Sequence, residues 1–257
     1  MNSNIYSIIT VCLNDMDGLI RTRESIRKQT SSDFEWIVID GASRDGTKEF
    51  LEKLSTAECQ WISESDKGLY DAMNKGIERG TGEYLIFLNS GDEFASPDVL
   101  KEVSKSLTRT NKPSLIYGDS LERSVDASLV YKPARSHVYL WYGMFTHHQA
   151  MFYKRKAVGA LRYSLLYPIG ADYGFTAELI GRGSNIKYLP MAICTFQRGG
   201  LSEKNINQGE NDQYLIRRKI MNYRVLTCMV IKSIHALVRM MKRVLPSLHN
   251  SLRYSSK

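Results

Sequence analysis

The chain has 257 residues, 43% of them hydrophobic and 24% charged, with a net charge of +8. This is ordinary globular composition, long enough for one large α/β domain with a sizeable core. No apolar run approaches the roughly 18 residues needed to span a bilayer. The N-terminus lacks the basic region and long apolar core of a secretory signal. Cys12, Cys59, Cys194 and Cys228 lie far apart without metal-ligand spacing, as expected of thiols in a reducing cytosol.

Ser7–Leu13 is β-branched and apolar and predicts the first strand, with a turn at Asn14–Gly18 and a helix over Leu19–Gln29. Phe34–Ile39 is the second strand, followed by the polar loop Asp40–Thr47 and a helix from Lys48 to Leu54. Gln60–Ser63 is a short third strand; the charged loop Glu64–Gly68 leads to a helix through Tyr70, Met73, Asn74 and Ile77. Tyr84–Leu88 is continuously apolar and aromatic, the pattern of a central strand buried on both faces. Ser96 and Pro97 open a helix that runs to Leu107. Ser114–Tyr117 is a strand ending at Gly118-Asp119, Leu129–Lys132 an edge strand and Ala150–Tyr153 another strand. Ala171-Asp172 opens a helix, Ile186–Leu189 and Ile193–Phe196 form a final strand pair, and a flexible basic loop begins at Arg198. Strands alternating with helices predict parallel pairing with right-handed crossovers.

Polarity switches abruptly at Asn89-Ser90-Gly91-Asp92, just past the Tyr84 strand. Ligands of open α/β sheets bind outside the carboxyl ends of the strands. Gly91 permits close backbone approach, and Asp92 is placed to hold a divalent cation whose other ligands are phosphates and water. Asp40 and Asp66 stand at equivalent strand ends. Each alone suits a helix cap; with Asp92 they would line one crevice for a metal-bound nucleotide. Asp172, near a helix N-terminus, is either a first-turn acid or a base in the same crevice. Asp119 is a second candidate base or the plain end of a strand. His147 and His148 suit acceptor or phosphate binding, or a structural role in an aromatic stretch.

Several segments together resemble glycosyltransferase family 2, the inverting GT-A family. They are Ser7–Val11 with Asn14, Val38–Ser43 with Asp45-Gly46-Thr47, Ser65–Gly76, Gly82–Asp92, His148-Gln149, Ala171-Asp172 and Gly199–Ser202. The resemblance covers about residues 5 to 203 and is strongest to bacterial enzymes of the colanic acid and O-antigen type. It implies a GT-A, Rossmann-like fold, a mostly parallel sheet flanked by helices, over residues 1–212. A basic amphipathic helical tail occupies 213–257. It further implies a nucleotide-sugar site at Thr10, Val11, Asn14, Asp40, Asp66, Gly68, Asn74, Asn89, Ser90 and Gly91. Asp92 becomes the metal residue, for Mn²⁺ or Mg²⁺, and Asp172 the base, with His148 and Arg198 toward the acceptor or a phosphate. The family's Asp-X-Asp lacks its first acid here, and Ala171 stands where the base pair has its Glu.

After Asp212 the chain has no acid, while Arg and Lys recur to the end. Arg224–Leu245 predicts a helix with Lys232, His235, Arg239, Lys242 and Arg243 on one face. Leu226, Met229, Val230, Ile234, Leu237, Met241 and Val244 cover the other, and Pro246 stops it. That pattern suits an anionic membrane interface, or else packing on the domain. The expected activity is inverting transfer of a hexose from a nucleotide diphosphate sugar, a UDP-sugar. The acceptor is a polyprenyl-diphosphate-linked saccharide of surface polysaccharide, at the cytoplasmic face of the bacterial plasma membrane. Alternatives are a nucleotidyltransferase, a non-catalytic sugar-nucleotide-binding protein, and a nucleic-acid-binding protein acting through the tail. A nucleotidyltransferase would want a basic, Gly-rich loop where Asn14-Asp15-Met16-Asp17 is acidic. A nucleic-acid binder would want interleaved basic and aromatic residues on the sheet.

Overall fold

The computed structural model describes residues 5–108, 112–124, 127–197, 199–200 and 205–244. Tyr6–Cys12 (β1), Phe34–Asp40 (β2), Gln60–Ser63 (β3) and Tyr84–Phe87 (β4) lie in the order β3-β2-β1-β4, all parallel. The crossovers are Met16–Arg27 (α1), Thr47–Glu52 (α2) and Leu69–Arg79 (α3). Side chains along β1 alternate between two cores. Ile9 and Val11 join Met73 and Ile77 of α3 on one side; Tyr6, Ile8 and Cys12 join Leu19 and Ile26 of α1 on the other. Both faces are covered, which is why these strands read as unbroken apolar runs.

The fold is the expected GT-A, Rossmann-like one; beyond β4 antiparallel pairs join the parallel ones. Met151–Lys154 (β8) runs antiparallel to β4 and to Leu115–Arg123 (β6). Leu129–Lys132 (β7) pairs along the edge of β6, and the short Glu93–Phe94 (β5) pairs with the last strand. That strand, Ile186–Gln197 (β9), is continuous, where the sequence suggested a pair. The interruption at Pro190-Met191 is a bulge: Gly118 pairs with Leu189, but Asp119 pairs with Ala192. A proline cannot donate to the ladder, so the strand yields there without ending. β6 likewise runs past Gly118-Asp119 to Arg123.

Val99–Thr108 (α4) follows β5, and Arg155–Val158 (α5) follows β8. Ala171–Gly181 (α6) is almost wholly buried, and Ile206–Lys219 (α7) packs on it. The composition break at 212/213 falls inside α7, where Asp212 and Ile216 are both fully buried. The chain therefore has no structural break at that position. Arg217, from the basic tail, is also buried and donates to the carbonyls of Trp141 (3.0 Å) and Tyr142 (2.7 Å).

The last described helix is Val225–Val244 (α8), close to the expected span. It rests on the domain through Cys228, Ile231 and the flank carrying His235 and Arg239. Its apolar arc points the other way: Leu226 is 74% exposed, Met229 57% and Leu237 52%. The helix therefore does not pack by its apolar face. The side chains of Lys242, Arg243 and Val244, and Pro246 altogether, lie outside the described ones.

Candidate active site

Antiparallel pairing explains the site's assembly. β8 runs against β4, so the segment entering β8 lies beside the chain leaving β4. This brings His148-Gln149, in a short 3-10 turn before β8, against Asn89–Asp92. β5 pairs with the end of β9 and adds Phe196 and Gln197 to the wall. α6 contributes Asp172 from its first turn, and α8 closes one side with His235 and Arg239. The result is a cavity of about 790 Å³.

The Asn89–Asp92 turn is pinned from below. Ser90 N donates to Val11 O (3.1 Å) at the end of β1. Thr22 Oγ1, fully buried on α1, donates to Asp92 O (2.7 Å) and accepts from Gly91 N (3.0 Å). Gly91 has φ of 87°, a conformation that glycine adopts without strain. The Asp92 carboxylate is buried and accepts from Gln149 Nε2 (3.0 Å). Burial pushes its carboxyl up to about 6, against the lowering effect of the Gln149 hydrogen bond.

Two buried amide oxygens beside it, Asn89 Oδ1 and Gln149 Oε1, have no hydrogen-bond partner among the described residues. A buried carboxylate next to orphaned carbonyl oxygens is a donor set for a hard cation. Among the described residues no three His, Cys, Asp or Glu side chains are grouped to hold an ion by themselves. The fit is to a cation that takes its remaining ligands from phosphate and water.

Asp172 is held on the opposite wall. Its Oδ1 accepts from Tyr173 N (2.8 Å), and Tyr70 OH, which burial keeps protonated and which donates chiefly to Ile169 O (2.8 Å), lies 3.3 Å from it. His148 stands between the two acids. Asn89 Nδ2 lies 3.3 Å from His148 Nε2, and His148 Nδ1 lies 3.7 Å from Asp172 Oδ2. With the Asn89 amide as donor, the imidazole proton sits on Nδ1 and faces Asp172. Asp212 holds the same segment: it accepts from Ile169 N (2.9 Å) and Gly170 N (3.0 Å), just before Ala171-Asp172.

The remaining expected residues form a rim at the ends of β1, β2 and β3, outside the cavity lining. Asp40 is fully buried and accepts from Ser63 Oγ (2.6 Å) and Ser43 N (3.1 Å). Asn14 Oδ1 accepts from Arg44 N (2.8 Å), tying the same loop to β1. Asp66 accepts from Gly68 N (2.8 Å) and presses against Gly41, where a Cβ would lie 2.6 Å from its Oδ2. Three side chains point into the fold instead. Thr10 accepts from Trp36 Nε1 (3.0 Å), Val11 is in the core, and Asn74 exchanges hydrogen bonds with the backbone of Tyr163 (2.9 and 2.8 Å). Arg198 lies outside the described residues.

Asp119 is a correction to the sequence reading. It is 2% exposed and accepts from Ala134 N (2.7 Å), Tyr188 OH (2.8 Å) and Tyr131 OH. Its oxygens are consumed at the β6–β9 bulge, so it does not serve as a base. His147 lines the cavity, with its ring centroid 3.8 Å from that of Phe196, and burial depresses its imidazole to about 4.

A polar strand-end turn and a helix-borne acid lining one cavity, on this mixed sheet, is the arrangement of GT-A glycosyltransferases. The match to the family model described as Glycosyl transferase family 2 spans residues 7–162, and the chain belongs to that family. An uncharacterized glycosyltransferase of Mycobacterium tuberculosis is 36% identical over 201 residues, covering 76% of each chain. A PGL/p-HBAD biosynthesis glycosyltransferase of Mycobacterium bovis is 28% identical over 81% of this chain and 83% of its own. Among solved structures, S. aureus TarS 1-349 in complex with UDP-GlcNAc superposes with a TM-score of 0.68 at 17% identity. It covers 86% of this chain and 67% of that one. Mannosyltransferase PcManGT from Pyrobaculum calidifontis, in complex with GDP-Man and Mn²⁺, gives 0.66 at 14% identity, covering 96% and 78%. These two likenesses speak for the fold.

Proposed function

We propose that the protein transfers a hexose from a nucleotide diphosphate sugar, a UDP-sugar, to a hydroxyl of a lipid-linked saccharide, with inversion. The observation that carries the reading is the placement of Asp92 and Asp172 on two walls of one cavity, with His148 between them. One base on the face opposite the leaving group gives direct displacement. Asp172 accepts the acceptor hydroxyl's proton as that oxygen bonds to the sugar's anomeric carbon. The bond from that carbon to the diphosphate breaks, and the nucleoside diphosphate leaves. Tyr70 and His148 hold the Asp172 carboxylate in place. Asp92, with Asn89 Oδ1 and Gln149 Oε1, would hold Mn²⁺ or Mg²⁺. When bound, such an ion supplies Lewis-acid stabilisation of the departing diphosphate. A UDP-GlcNAc complex of one structural neighbour and a GDP-Man complex of another support a nucleotide-sugar donor without choosing between the bases.

The acceptor reading rests on α8. Its apolar arc faces outward, while its opposite flank lines the cavity through His235 and Arg239. Among the described residues no helix is long and apolar enough to cross a membrane. An outward apolar helix with Lys232 exposed on its flank suits adsorption to an anionic bilayer, here the inner face of the plasma membrane. Adsorbed this way, the cavity stands beside the surface that carries a polyprenyl-diphosphate acceptor, in assembly of a cell-surface polysaccharide or glycolipid. The nucleic-acid alternative loses support, because Arg217 and Arg239 are engaged within the fold.

The test is Asp172→Asn. Turnover falls by about 10²–10⁴-fold, the usual contribution of a positioned base, with donor affinity kept. Turnover at the wild-type rate would assign the base elsewhere.

A further inference from the structure

We propose that Arg21 binds the donor's diphosphate and stabilises the departing nucleotide; this rests on the donor reading above. The asymmetry of α1 points to it. Of the three arginines on this helix, Arg23 is paired with Glu58 (2.7 Å) and Arg27 with Glu24 (3.8 Å). Arg21 has no hydrogen-bond or ion-pair partner among the described residues, although it lines the cavity together with Asn89–Asp92. One of its terminal guanidinium nitrogens lies 3.6 Å from where a Cβ on Gly91 would stand. The guanidinium is thus held over the one residue of the metal turn that has no side chain to block it. An unpaired arginine elsewhere on a helix would be a solvated surface charge; this one lines the cavity beside the Asn89–Asp92 turn.

Charge explains what the residue is for. A diphosphate brings about two negative charges and gains another as its bond to the sugar breaks. Asp92 is not the only acid at the turn: the Asp15 carboxylate also lines the cavity, its Oδ2 3.7 Å from the same point over Gly91, so a phosphate at the turn needs cationic help. The Arg21 guanidinium over Gly91 answers the charge that develops on the leaving oxygen, and its planar fork matches two phosphate oxygens at once. The electron pair of the breaking C–O bond goes to the phosphate oxygen, Arg21 donates N–H bonds to it, and no proton changes hands. Arg21 is exposed, so its removal leaves the fold intact.

The experiment compares wild type, Arg21→Ala and Arg21→Lys in the full chain by titration calorimetry. The probes are UDP, GDP and the nucleosides uridine and guanosine, with Mn²⁺ and with chelator. The expected result is at least tenfold weaker nucleoside diphosphate binding in Arg21→Ala, intermediate binding in Arg21→Lys, unchanged nucleoside binding and an unchanged Tm. Turnover in Arg21→Ala falls by more than the binding loss explains, because the leaving group gains charge in the transition state. Wild-type diphosphate affinity and turnover in Arg21→Ala would overturn the assignment to Arg21 alone. Equal losses for diphosphate and nucleoside would also overturn it, as would loss of Tm. Failure of the wild type to bind UDP or GDP would overturn the donor reading and this proposal together.

Discussion

Asp92 is ionised at neutral pH in surroundings that oppose its charge. Its folded carboxyl titrates at about 6, against an ordinary value of 3.8. The folded protein therefore binds a proton more tightly than the unfolded chain. Stability from this group is fully present below about pH 4 and is lost as pH rises through about 6. Asp92→Asn removes the loss, and its amide can still accept from Gln149 and can donate to the orphaned Gln149 Oε1. In chelator the variant should match wild type near pH 4 and be more stable by roughly 1–3 kcal/mol above pH 7. Melting curves from pH 4 to 8 check this; parallel curves for the two proteins would contradict it. The same substitution should weaken metal-dependent nucleotide binding, the stability–function conflict expected where an acid is buried for a ligand. Asp92 and Asp172 are legible in the sequence because each ends an apolar run or opens a helix. Thr22 and Asp212 are not, since they act on turns 69 and 42 residues away and nothing local marks them; Gln149 is visible only as part of the His148-Gln149 segment, and its contact with Asp92, 57 residues away, is not.

The elements of the site are positioned by buried polar contacts that periodicity does not reveal. Glu35, on β2, is 8% exposed; its Oε1 accepts from Ser7 Oγ (2.6 Å), Thr81 N (2.6 Å) and Gly82 N (3.0 Å). It ties β1 and β2 to the chain entering β4, the strand that delivers the Asn89–Asp92 turn. Glu35→Ala leaves several buried donors unpaired and should destabilise the protein by about 2–4 kcal/mol, read by urea unfolding. Asp212 does similar work from α7. Asp212→Ala frees the two amides before Asp172 and should lower kcat at least tenfold with donor affinity retained. A pure stability loss, with kcat restored at lower temperature, would confine Asp212 to the fold. The parallel half of the sheet is legible from its apolar runs. The β6–β9 pairing is not, because Pro190 and the bulge beside it look like a chain break when only sequence spacing is available.

At the scale of the molecule, α8 joins the cavity to an apolar exterior. Burying Leu226 and Leu237 contributes about 1.5–3 kcal/mol each when they leave water. Replacing both by Asn should reduce sedimentation with anionic vesicles at least tenfold and leave donor binding unchanged. Equal vesicle binding by the variant would remove α8 from the membrane account. The amphipathic pattern of α8 is plain in the sequence, but its orientation is not. Which face packs is decided by His235 and Arg239, whose partners Tyr142 and Glu210 come from other elements.

The central claim is that the Asn89–Asp92 turn holds a metal-bound nucleotide sugar. It is tested most directly by the ligand-induced rise in Tm for UDP-, GDP- and dTDP-sugars, with Mn²⁺, with Mg²⁺ and with chelator, in wild type and Asp92→Ala. A ligand that binds only the folded state raises Tm by mass action, with about 2.7 kcal/mol of stabilisation at a hundred times its Kd. The account predicts a rise for UDP-sugars that needs the metal and disappears in Asp92→Ala. No rise with any nucleotide, or a rise unchanged by chelator and by Asp92→Ala, would contradict it.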